Sequence, residues 1–192
     1  GDDDPSDLAA NTKKALREIS DAGVELFIQR GNRDFTIGRK FSKDVRGTII
    51  KDEHIVSSGQ QSALVMHGDS LCTDDIEYQR FRRKSRNPIY RWFLINLPLK
   101  TRLGIAKKWR NDSASATSNK AMDIMDVNEL AVKKLFNEFN NPPIMIHGHT
   151  HRPKIHTYNI NGRKSKRVVL SDWHESGSFL LWDRGKLKNI KV

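Results

Sequence analysis

The sequence predicts an α/β fold, and three observations predict it. Helical and strand patterns alternate through the first half of the chain. A run of strands fills the end, and three of the apolar strands each close on a glycine-containing loop of His, Asn or Asp. In layered α/β folds such loops, at the carboxyl ends of strands, are where ligands bind. The early β-α pattern with later strands points to an α/β sandwich, and 192 residues suit one domain.

Residues 7–22 place Leu8, Ala15, Leu16 and Ile19 on one helical face, and Gly23 stands where a helix stops. "VELFI" (24–28) reads as a buried strand that runs into the polar loop "QRGNRDF". A short helix is expected over 38–45, then paired strands over 48–66 around "SSGQQS", ending "ALVM" before "HGDS". From 73 to 110 the pattern is helical, with breaks at Pro88 and Pro98. Residues 121–139 predict one amphipathic helix with Met122, Met125, Val132, Leu135, Phe136 and Phe139 as its core stripe. "IMIH" (144–147) is the third strand ending in chemistry, and 154–192 reads as β-rich with turns at "NGR" and "RGK".

No apolar run reaches 18 residues, so no transmembrane helix is expected. The single cysteine, Cys72, has no internal partner and fits a core thiol in a reducing compartment. The net charge of +11 is local: Arg80, Arg82, Arg83, Lys84, Arg86, Arg91, Lys100, Arg102, Lys107, Lys108 and Arg110 fall in one stretch without an acid, and the rest of the chain balances.

Three loops carry the chemistry: "GNRD" (31–34), "MHGD" (66–69) and "HGHTHRP" (147–153). Glycine lets such a loop approach an ion or a phosphate closely. On an extended segment His149 and His151 share a face and Thr150 points away. Imidazole with amide and carboxylate oxygen suits manganese, zinc or iron more than calcium. A pair of such ions would clamp a phosphate ester and favour in-line displacement. Taken singly, His67 reads as a packed histidine and Asn32 as a turn residue. Their conjunction, each after an apolar strand, carries the phosphoesterase reading.

The same three motifs resemble those of the calcineurin-like metallophosphoesterases. Together with "GDDDP", "RGNRDF", "MHGDSLCTDD", "NKAMDIMDVN" and "IHGHTHRP", they resemble, over nearly the whole chain, the UDP-2,3-diacylglucosamine pyrophosphatases of lipid A synthesis within that superfamily. The resemblance implies a four-layer α/β sandwich with a helical lid inserted at about 74–120, acting at the cytoplasmic face of the inner membrane as a peripheral protein. It also implies two manganese ions and hydrolysis of UDP-2,3-diacylglucosamine at the α-phosphorus to UMP and 2,3-diacylglucosamine 1-phosphate (lipid X). Asn32, His67 and His149 match ligands of one metal and His151 a ligand of the other. Asn32, Arg33, Asp75, Ser113, Thr117, Lys120 and His149 match substrate-binding positions. Thr117 replaces an asparagine of the family, with shorter reach. Arg33 offers a planar fork to phosphate oxygens. Asp69 reads as an orienter of a neighbouring histidine, and His147 and Arg152 as supporting groups.

The superfamily also uses an Asp-x-His on its first strand and a Gly-Asp on its second. Neither stands in its place here, and the sequence reads as beginning just downstream of them. Asp52-Glu53-His54, Asp172-Trp173-His174 and Gly1-Asp2 spell the same patterns in the wrong order. Without the bridging carboxylate, two dications repel with poor compensation, so this stretch alone is expected to be impaired relative to a complete enzyme.

The basic stretch interleaves Trp92, Phe93, Leu94, Ile95, Leu97, Leu99, Leu103, Ile105 and Trp109 with its cations. That suits an acyl-holding lid on an anionic membrane surface. So many large aliphatics argue against a nucleic-acid partner, although phosphate backbones attract the same charge. The alternatives are another metallophosphoesterase acting on nucleotides or nucleic acid, and an inactive basic membrane-binding fragment.

Overall fold

In the computed structural model, which describes residues 1–118, 124–173 and 176–192 (side chains of 114–118 excepted), the chain forms a mixed α/β structure of two compact units. The first unit is Gly1–Ile50 with Asp75–Ile124, and the second is Lys51–Asp74 with Met125–Val192.

In the first unit, helix α1 (Asp7–Asp21) starts where the Ser6 hydroxyl accepts the Ala9 N–H at 3.2 Å. It ends before Gly23, whose φ of 88° only glycine adopts freely. The expected apolar face is not buried: α1 contributes no core residue, and Leu8 is 77% exposed. Polar links hold it to α2 (Arg39–Val45) instead, with Lys13 Nζ 2.9 Å from Asp44 and Ser20 Oγ donating to the Val45 carbonyl at 2.7 Å. "VELFI" likewise yields only β1 (Phe27–Ile28), paired in parallel with β2 (Thr48–Ile49), because the partner offers two residues in register. Half-exposed Phe27 corrects the expectation of a buried strand.

Helix α2 has Gly38 at its N-cap and no cap of its own. Asp2 supplies one from 36 residues away, accepting the Gly38 N–H at 2.6 Å and the Lys40 N–H at 3.1 Å. The carboxylate of Gly1-Asp2 is thus engaged as a helix cap. Pro88 and Pro98 separate α3 (Ile76–Arg86), α4 (Pro88–Ile95) and α5 (Leu99–Ser118) as expected. Pro88 is the first residue of α4, and the Asn87 side chain accepts from Ile89 and Tyr90 N–H. Asp3 ties Lys40 (2.8 Å) to Arg102 of α5 (3.0 Å).

The second unit is built on a five-stranded mixed sheet ordered β3-β4-β5-β7-β6. Its strands are β3 (Glu53–Ser58), β4 (Gln61–Met66), β5 (Ile144–His147), β6 (Lys154–Ile160) and β7 (Arg163–Val169). The central strands β4, β5 and β7 run parallel; β4 and β5 are apolar on both faces over 63–66 and 144–146, as strands covered from both sides must be, while β7 is apolar only at Val168 and Val169. Leu64, Met66 and Met145 meet Val132 and Phe136 of helix α6 (Glu129–Glu138). Ala63, Ile144 and Val168 meet Leu180, Trp182 and Leu187 of the hairpin β8 (Ser178–Asp183) to β9 (Lys186–Lys191). The turns at "NGR" and "RGK" have positive φ at both central residues, Asn161-Gly162 and Arg184-Gly185, the form that matches strand twist.

The helix expected over 121–139 begins only at Glu129, because the Asn128 side chain accepts the Leu130 and Ala131 N–H groups and so caps it there. Met125 precedes the helix, and Met122 lies outside the described residues. Cys72 is buried, its thiol 3.5 Å from the Met125 carbonyl. Among the described residues, no helix is long and apolar enough to cross a membrane.

Candidate functional site

Strands β4 and β5 lie side by side in parallel, with Met66 opposite His147, so their two loops leave the same edge of the sheet. The Gly148 N–H donates to the His67 carbonyl at 3.0 Å and ties the loops together. At Gly68 φ is 106°, and an added Cβ would stand 2.7 Å from His147 Nδ1. Only a glycine lets this loop rest on the histidine ring. The consequence is a facing pair: the rings of His67 and His149 are 5.0 Å apart, edge to face.

The segment after β5 is not extended. His149 (φ 66°) and His151 (φ 53°) are both left-handed, and Thr150 N–H turns back to the Gly148 carbonyl at 2.8 Å. The expectation that the two histidines share a face by strand alternation is therefore corrected; Gly148 starts a turn at once. Histidine is among the few side chains enriched in this backbone region, and such residues cluster at functional sites. His151 is half-exposed, with Nδ1 3.7 Å from Asp172. Asp172 belongs to one of the misplaced Asp-x-His patterns and is met here as a partner of His151; His174 lies outside the described residues.

His147 supports this arrangement from behind. It is fully buried, its Nδ1 2.9 Å from the Gly148 carbonyl and its Nε2 3.1 Å from Arg167. Burial, opposed by the Gly148 carbonyl and aided by the nearby Arg167 charge, lowers its pKa to about 4, so the ring is neutral at pH 7. With both nitrogens engaged it is not a ligand. Arg152 pairs with Asp126. Burial pushes the Asp126 carboxyl up, but the Val127 N–H and Arg152 outweigh it and hold the group below its ordinary value. Asp69 is buried as well.

The donor chemistry of the pair fits a divalent ion. Each imidazole offers a nitrogen donor of the kind such an ion takes, and the two rings stand 5.0 Å apart. Two donors do not make a complete site. Among the described residues no group of three or more His, Cys, Asp and Glu side chains is gathered to hold a metal.

The remaining candidates belong to the first unit. The "GNRD" loop is closed by the Asp34 carboxylate accepting the Gly31 N–H, so Asp34 is engaged within its own turn. Arg33 is exposed and Asn32 half-buried. Phe35 anchors the loop, packing on Phe81 of α3 (6.2 Å) and Trp109 of α5 (5.9 Å). Asp75 is buried and caps α3, accepting the Tyr78 N–H at 3.0 Å, a structural use beside the predicted one. Ser113 is exposed on α5. The Thr117 side chain and all of Lys120 lie outside the described residues. Sequence reading missed Arg167, which looks like one more cation in "RKSKRVVL"; the only signal is the alternation that turns Ser165 and Arg167 inward while Lys164 and Lys166 face out.

No protein-family model matches the chain. Against curated proteins it is 44% identical to a UDP-2,3-diacylglucosamine hydrolase of Proteus mirabilis (strain HI4320) over 191 residues, which is 100% of this chain and 79% of that protein. The protein of the same name from Edwardsiella ictaluri (strain 93-146) is 44% identical over 193 residues, covering 100% and 74%. That of Ectopseudomonas mendocina (strain ymp) is 42% identical over 177 residues, covering 92% and 73%.

Proposed function

The chain belongs to the UDP-2,3-diacylglucosamine hydrolases, and from that premise we propose how it hydrolyses UDP-2,3-diacylglucosamine in lipid A synthesis. The observation that carries the reading is the facing of His67 and His149 from the ends of two adjacent parallel strands. Water adds to the uridine-side phosphorus, the anhydride P–O bond breaks, and UMP and 2,3-diacylglucosamine 1-phosphate leave.

His67 and His149, with Asn32, are proposed to hold one manganese ion, and His151 the other, within a metallophosphoesterase sandwich. When bound, such ions offset phosphoryl charge and supply a nucleophile at neutral pH. The chain's own residues orient and bind. Neutral His147 holds the two histidine loops in register without adding charge. Arg33 presents a permanent cation with five donors to the pyrophosphate. Asp75, Ser113, Thr117 and Lys120 are assigned to the sugar nucleotide on the family pattern.

Peripheral binding to an anionic inner-membrane surface is the second part of the proposal. It is supported by the first unit, where Ile89, Trp92 and Phe93 of α4 are 76%, 64% and 57% exposed. Beside them Arg83, Lys84, Asn87, Ile89, Tyr90 and Phe93 line an open groove of about 600 Å³. Aromatic and aliphatic side chains next to cations suit a lipid interface better than a nucleic acid.

The test is UMP release from UDP-2,3-diacylglucosamine with manganese, set against bis-p-nitrophenyl phosphate and single- and double-stranded DNA. The proposal expects the lipid nucleotide to be preferred. Turnover of the other substrates without UMP release would refute it. Flotation with phosphatidylglycerol vesicles, at low and high salt, checks the membrane part.

A further inference from the structure

We infer that Arg167, on strand β7, is a positioning residue for the hydrolytic site, setting through His147 the facing of His67 and His149. The inference rests on the hydrolase reading above for its activity arm only.

Arg167 is 3% exposed and spends its guanidinium on three groups. Nε donates to the Tyr158 hydroxyl at 3.0 Å, one terminal nitrogen to His147 Nε2 at 3.1 Å, and the other to Glu129 at 3.4 Å. The Tyr158 hydroxyl in turn donates to Glu129 at 3.0 Å. This chain of contacts begins at the first residue of α6 and ends behind the candidate site.

A guanidinium only donates, so His147 Nε2 must accept, and a carbonyl only accepts, so Nδ1 must carry the hydrogen that meets Gly148. The partners leave one tautomer. The other would set two N–H groups against each other and two lone pairs against each other. The ring so fixed lies under Gly68, within 3.1 Å of where a Cβ would stand at its Cβ and Cγ. It also bonds the carbonyl of Gly148, whose N–H holds the His67 carbonyl. Tilting His147 therefore moves the residue next to His67 and the residue next to His149 together.

A buried guanidinium is costly, and a well-packed apolar side chain often serves a purely structural slot as well or better. That separates the two roles. Arg167→Met should stay folded, by circular dichroism and thermal melting, and still lose function. Long-range ¹H–¹⁵N correlation spectra of the metal-free ¹⁵N-labelled chain read the His147 tautomer directly. The unsubstituted chain is expected to show Nδ1–H alone, and Arg167→Met a mixture or the Nε2–H form. Hydrolysis should fall about 10- to 100-fold, the range for losing a partner of a metal-site group, in kcat more than in KM. Arg167→Lys, which restores one donor, should recover part of both readouts. Retention of the single tautomer with kcat within twofold in Arg167→Met, or in Arg167→Leu where the Met variant does not fold, overturns the inference. If the unsubstituted chain does not hydrolyse the lipid nucleotide, the functional reading fails while the tautomer arm still judges Arg167.

Discussion

Two regions of the molecule invert the usual distribution of side chains, in opposite directions. Behind the β4 and β5 loops, polar groups are inside: His147, Asp69 and Arg167 are all buried. On α4 and the start of α5, apolar groups are outside, with Ile89, Trp92, Phe93 and Leu103 exposed among cations. Exposed leucines alone say little, but buried charge and several large exposed aromatic and aliphatic side chains both cost stability unless something is gained. The first region gains fixed imidazoles. The second is the face proposed above to meet lipid. On the proposed function, chemistry and attachment are served by opposite departures from one rule, and each departure can be broken separately.

The largest effect is expected at the paired rings. His67→Ala or His149→Ala should cut UMP release by more than about 100-fold, beyond the loss of a supporting partner, while vesicle flotation stays unchanged. Next comes Gly68→Ala, which sets a Cβ 2.7 Å from His147 Nδ1 at a φ of 106°. It should cost roughly 2 kcal/mol in thermal stability through strain and overpacking, checked by calorimetry, and lower activity with it.

On the other side of the comparison, Trp92→Ser with Phe93→Ser should change stability by less than about 0.5 kcal/mol, since both side chains are exposed. Binding to anionic vesicles should fall by tenfold or more. Lys107→Ala and Lys108→Ala should each weaken that binding about fivefold at low salt, about 1 kcal/mol per cation, and have no effect at high salt.

The smallest effect concerns how the basic helix α5 is tethered to α2. Hydrogen bonds from Lys40 and Arg102 hold the Asp3 carboxyl below its ordinary value of 3.8. A carboxylate depressed in the folded state adds stability above its unfolded pKa and loses it as pH falls through the folded one. Asp3→Asn should therefore melt slightly lower than the unsubstituted chain at neutral pH, within the ~1 kcal/mol of an exposed ion pair. The two curves should converge below about pH 4.

Much of this was legible in the chain itself. "ALVM" before "HGD" and "IMI" before "HGHTH" announce strands that end in donors, and both form as read. Prolines 88 and 98 and the Asn-Gly and Arg-Gly turns act locally, so they were legible too. Where the reading failed, a distant or competing group had intervened. Asn128 starts α6 late, and Asp2 caps a helix it does not belong to. The apolar face of α1 found polar partners, and Gly148 turned a presumed strand into left-handed backbone.

The sequence by itself determined which loops hold the candidate donors and where prolines and two-residue turns interrupt the elements, because turn geometry and alternation act over a few residues. Tertiary structure alone decided that His67 meets His149, that His147 stands behind them, and that Arg167 is an inward cation among outward lysines. Those outcomes depend on which strands become neighbours and on which face a layer covers, and contacts between segments far apart in the chain leave no local pattern to read.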